Sequence, residues 1–249
     1  MADQETIAQR IVKLLAKAEG ASTPEEAETF FDAAARLQAK HAIDEMMLAK
    51  ARGQADPDKL GTKDFVLEGI YAKAHRMTIH YLAKAMGMES IELSGYLGPK
   101  KKLVRVHGFD SDLTQFEILY TSLLIQETRA LRAWIDDQDV YPFMTAAEKF
   151  QARKSFIIGF GEGASKQVRE ARQAAVADKE KESGEPGVGL VLADRKTQVS
   201  REFDNTYGRT TKGRGTKING SAHGSGRAAG SRADVGSRKV GGGSRRELG

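Results

Sequence analysis

The aromatic residues of this chain stop at Tyr207, and that break limits the fold more than any other feature. The 42 residues from 208 to 249 close on "GSGRAAGSRADVGSRKVGGGSRRELG" and carry ten Lys/Arg against two acids. Taking that local +8 from the chain's net +5 leaves about −3 for the 207 residues before it. Attraction to polyanions is therefore concentrated at one end. Glycine raises the entropy of the free chain, and few apolar groups are present to offset ordering it. Such a segment stays mobile unless something holds it. Ala228, Ala229, Ala233 and Val235 offer a second reading, a glycine-rich packed segment.

Before the break, hydrophobic spacing is regular enough to place elements. Ile7, Ile11, Leu14, Leu15 and Ala18 recur at helical intervals, and Gly20 ends that helix. In "STPEEAETFFDAAARLQAKH", Thr23 is an N-cap, Pro24 takes the first helical position and Glu26 completes a capping box. The short link between the two makes them an antiparallel helical hairpin. "IDEMMLAKAR" adds a shorter helix capped by Asp44, and "GQADPDKLGT" reads as a linker. "DFVLEGIY" alternates as a strand does, and residues 72–86 form a helix closed by Gly87. "SIELSGY" and "KLVRVHGF" are two strands around a Gly98-Pro99 turn. A long helix follows from Asp110, apolar on more than one stripe and so central. Thr145 and Glu148 cap another, running through residue 178 on Phe156, Phe160, Ala164 and Val168. "VGLVLA" is a possible last strand.

The fold class is therefore α+β. A helical hairpin module spans 1–52, a strand-helix-strand-strand-helix-helix core spans 62–182, and a basic Gly-rich, partly disordered segment spans 184–249. The chain has no cysteine, which excludes disulfides and thiolate metal sites. No apolar run reaches the roughly 20 residues that cross a bilayer. "MADQETIAQR" lacks the apolar region of a signal peptide, so a cytoplasmic, membrane-free protein is expected.

"RIVKLLAKAEGASTPEEAETFFDAAARLQAKHAID" resembles the bacterial and phage family called domain of unknown function 2786. Its second helix ends in a Lys-His-small-Ile element, here Lys40-His41-Ala42-Ile43, with alanine at the usual glycine. "VRVHGFDSDLTQFEILYTSLLIQ" and "RKSFIIGFGEGASKQVREA" resemble the α+β segment that often follows it, so the likeness covers roughly residues 6–178. The resemblance implies a phage or bacterial origin; it supplies no activity and no catalytic residues.

His41 suits a helix end, where a cation meets the dipole. His75 and His80 are five residues apart with no Glu between them, unlike the four-residue pair of a zincin helix. With His107 they make a metal-dependent hydrolase the alternative to a non-catalytic protein. "GFGEGASK" is neither a Walker loop nor a dinucleotide loop; Gly159, Gly161 and Gly163 read instead as close helix packing. No cofactor is expected, and no catalytic group assembles by spacing alone.

The leading expectation is electrostatic binding of nucleic acid with little sequence preference. Lys100, Lys101 and Lys102 crowd a hairpin tip, and Arg105 shares a strand face with His107 while Val104 and Val106 take the other. The alternative there is an edge strand guarded by lysine. In the terminal segment Arg209, Lys212, Arg214, Lys217, Arg227, Arg232, Arg238, Lys239, Arg245 and Arg246 complete the set. Arginine forks match phosphate oxygens, and the missing aromatics argue against base stacking there. A third expectation is a protein partner held by the N-terminal hairpin through Phe30 and Phe31.

Overall fold

The computed structural model describes residues 10, 11, 13–18, 20–23, 26, 27, 29–31, 33, 34 and 37, and then 58–95, 97, 101–183, 188–211, 213 and 215–236. The described residues of 10–18 and of 26–37 are helical. The Thr23 hydroxyl accepts from the Glu26 amide (3.2 Å), and the Glu26 carboxylate reaches back to the Ser22 amide (3.1 Å), as a capping box requires. The Lys17 ammonium lies 5.5 Å over the Phe30 ring and ties the two stretches together. His41, the Lys-His-Ala-Ile element and the Asp44 cap lie outside the described residues.

The core is α+β. Strand β1 (Leu60–Glu68) is followed by helix α1 (Ala72–Ala85), strand β2 (Glu89–Leu93), strand β3 (Lys101–Phe109) and helix α2 (Asp110–Asp136). A 3₁₀ turn (Tyr141–Phe143), helix α3 (Ala146–Ser183), helix α4 (Val188–Tyr207) and helix α5 (Gly220–Gly230) complete it. All pairing in the sheet is antiparallel and its order is β1-β3-β2. β3 is thus the central strand and not an edge, which removes the lysine-guarded-edge reading. β1 also begins inside the stretch that composition marks as a linker. Gly61 faces Gly108 across the ladder, and side chains at either place would meet Asp110 or Met88.

Period-two alternation sends Val104 and Val106 into the core with α1, α2 and α3. Leu113, Phe116, Leu123, Phe156 and Phe160 fill the space between sheet and helices. Gly87, at φ +83, closes α1 in left-handed geometry that an L side chain resists. The Thr145–Glu148 capping box starts α3: the Glu148 carboxylate accepts from the Thr145 amide (2.8 Å), and the Thr145 hydroxyl accepts from the Glu148 amide (3.3 Å).

The expected strand "VGLVLA" is the first part of α4. A six-residue apolar run fits strand and helix alike. The residues beyond it decide the matter, because Val188, Arg195, Val199 and Phe203 bury one helical face. α4 covers the other face of the sheet. Its Phe203 and Tyr207 rings meet His107 edge-on at 5.4 and 5.1 Å. Arg195, buried, lies 4.2 Å over the Phe109 ring and bridges Asp58 (3.2 Å) and Asp112 (3.6 Å). So residues 188–207 are a structural layer of the core.

α5 is seated on α3 by glycine. A Cβ at Gly159 or Gly163 would overlap the carbonyl of His223 or Arg227. One at Gly226 or Gly230 would overlap that of Phe156 or Phe160. The four contacts advance together along both chains, so the helices run parallel with backbone against backbone. Such proximity gains dispersion and Cα–H···O contacts that offset a glycine's helix cost of about 1 kcal/mol. Gly161, between the pair on α3, faces Thr78 of α1 instead. Side chains fasten both ends. Ser155 Oγ accepts from the Asn219 amide (2.8 Å), and the Gln126 side chain brackets Asp234, donating to its carbonyl (2.9 Å) and accepting from its amide (2.8 Å).

Candidate nucleic-acid interface

Three of the sheet cations, Lys101, Lys102 and Arg105, are engaged. Lys101 bonds Glu68 at 2.6 Å, and these residues are direct partners in the β1–β3 register. Lys102 bonds Glu92 at 2.8 Å. Arg105 stands opposite Asp64 and grips it with two bonds, Nε to Oδ1 at 2.6 Å and a terminal nitrogen to Oδ2 at 2.7 Å. That fork holds the Asp64 carboxyl below its ordinary range and raises Arg105. Lys100 lies outside the described residues. The acids that neutralise this strand were visible in β1 and β2; only the register shows that they face it.

The C-terminal cations are placed differently. Arg209 and Lys217, in the connection between α4 and α5, are exposed, as is Arg232 just beyond α5. Among the described residues, no carboxylate stands within ion-pair distance of these three. Arg227 points outward from α5 and lies 3.6 Å from Glu162, an exposed pair of little worth. Lys212, Arg214, Arg238, Lys239, Arg245 and Arg246 lie outside the described residues.

The three core histidines stand in three places. His75 Nδ1 lies 3.7 Å from Glu127, too far for a hydrogen bond, and is buried with no hydrogen-bond partner among the described residues. His80 Nδ1 meets Ser90 Oγ at 3.0 Å. His107 Nε2 meets the Tyr207 hydroxyl at 2.9 Å. Burial pushes all three imidazoles down from their ordinary value. Among the described residues, no group of three or more His, Asp or Glu could hold a metal ion. His107 also lines a groove of about 180 Å³ between β1, β3 and α4, with Arg105, Glu202 and Tyr207 around it. Its charges are balanced, and Arg105 is already committed to Asp64.

Sequence reading passed over an aromatic cluster at the start of α3. The Tyr71 and Phe150 rings stack, with centroids 5.6 Å apart and planes 12° from parallel. Lys154 lies 5.8 Å over Phe150; Lys149 and Arg153 each lie 5.5 Å over Tyr141. Arg153 Nε donates to the Tyr141 hydroxyl. Burial, and then Lys73 nearby, pulls the Lys154 ammonium below its ordinary value. The signal in the sequence was an aromatic interleaved with cations, "KFQARK", but Tyr71 and Tyr141 join it only in the folded chain.

Residues 6–45 match the family described as Protein of unknown function (DUF2786). The matched residues precede β1 in the chain and include none of the cations of the sheet, of α3 or of the C-terminal segment. No curated protein and no solved structure matches the chain. Phe30 and Phe31, within the DUF2786 residues, are half-buried. Among the described residues, no helix is long and apolar enough to cross a membrane.

Proposed function

We propose that this protein binds nucleic acid electrostatically, as an accessory without a reaction of its own, through the cations of residues 208–249. One observation carries the reading. Seating α5 on α3 by glycine leaves Arg209, Lys217 and Arg232 exposed and unpaired among the described residues, whereas Lys101, Lys102 and Arg105 are spent on acids. A backbone fixed to a rigid core with its cations outward loses less freedom on meeting a phosphate chain than a free coil does. Each phosphate neutralised then releases condensed counterions, which gives affinity with little choice of sequence.

The test is fluorescence anisotropy with labelled DNA and RNA at several salt concentrations. The logarithm of affinity should fall linearly with the logarithm of salt. A triple variant, Arg209→Gln, Lys217→Gln and Arg232→Gln, should flatten the duplex slope by roughly 2–3. Binding that is absent, or indifferent to salt, ends the proposal.

A further inference from the structure

We propose that the surface around Tyr71, Phe150 and Phe143 is a stacking platform for the bases of single-stranded nucleic acid. This rests on the electrostatic reading above and narrows it to one class of ligand.

Phe143 is 89% exposed, Ile70 71% and Phe150 37%. Large apolar side chains left open together mark a surface that meets something. Among the described residues, Lys73, Lys149, Arg153 and Lys154 have no carboxylate within ion-pair distance, unlike the lysines of the sheet. Unpaired cations beside open rings suit a ligand that is both flat and anionic. Duplex DNA hides its base faces in the stack; a single strand offers base and phosphate together.

Arg153 donates to Tyr141 and Tyr71 stacks on Phe150, so the Tyr141 and Phe150 rings are held before any ligand arrives. Gln151, next to Phe150 in sequence, donates its side-chain amide to the Lys217 carbonyl. The basic connection between α4 and α5 therefore runs past the platform, and one strand can stack on the rings while its phosphates meet Lys217. Asp136, Asp137 and Asp139 precede the 3₁₀ turn in the chain, on the sequence side away from Lys149, Arg153 and Lys154. The strand is expected to leave Phe143 toward Lys154 and Lys73.

The test compares oligo-dT of about 20 nucleotides with a duplex of equal length, using the full chain at matched salt. Wild type should prefer oligo-dT. Phe143→Ala and Phe150→Ala should each weaken oligo-dT by roughly fivefold or more and leave the duplex within about twofold. Phe143 is so exposed that its removal leaves folding intact. Lys149→Gln with Lys154→Gln should lower the oligo-dT salt slope by about 1.4. If both phenylalanine variants bind oligo-dT as wild type does, while salt-dependent binding persists, the platform is refuted and the electrostatic reading survives. If wild type binds neither nucleic acid, both fall. Phe143-dependent binding to phosphatidylserine–phosphatidylcholine vesicles, with oligo-dT unaffected by the variant, would assign the surface to a membrane and overturn the inference.

Discussion

Glu127 projects from α2 into the core beside His75, and burial pushes its carboxyl up to about 8. A raised carboxyl is neutral in the folded chain at pH 7 but ionised in the unfolded one. It therefore subtracts nothing below its unfolded value of 4.5 and progressively more stability as pH rises through 8. His75 has the opposite sign: its lowered value costs stability as pH falls below 6.5. Glu127→Gln should leave stability nearly unchanged at pH 5 and raise it at pH 8.5, on the order of a few kcal/mol. Urea unfolding at both pH values measures this; an equal difference at the two would contradict it. The sequence put His75 on a helix but could not name its neighbour, since Glu127 is 52 residues away and enters only through the packing of α1 on α2.

At the scale of elements, the glycine interface separates two residues of one helix. Gly226 has the Phe156 carbonyl where a Cβ would go; Gly224 has nothing within 4 Å. Gly226→Ala should cost about 1–3 kcal/mol by forcing the helices apart. Gly224→Ala should stabilise by about 0.5–1 kcal/mol, since alanine suits a helix better. Thermal unfolding of the pair decides, and two changes of the same sign would refute the seating of α5. Much of this level was legible. The order strand-helix-strand-strand-helix-helix followed from periodicity and caps, and the Gly159–Gly163 spacing already argued for packing. Two things were not. "VGLVLA" was too short to separate a strand from a helix, and the burial of Val199 and Phe203 settles it. Nor does a linear pattern name partners, so the seat of Gly226 and Gly230 on α3 and the central place of β3 waited for the fold.

Across the whole molecule, the break at Tyr207 separates composition more than structure. α4 covers the sheet, α5 is built into the core, and the chain between them carries cations outward. A cut after Tyr207 would strip α5 from α3 and confuse loss of charge with loss of packing. A cut after Gly236 leaves every described contact in place and removes Arg238, Lys239, Arg245 and Arg246. The site was only partly readable in advance. The terminal cations stood out by count, but the sheet cations looked equally free until register paired them with Asp64, Glu68 and Glu92.

The most direct measurement is therefore the salt dependence of duplex DNA binding for the full chain and for the chain ending at Gly236. The shorter chain should bind more weakly, with a slope shallower by up to about 3–4. Equal affinity and equal slope for the two chains would contradict the claim that the terminal cations hold phosphate.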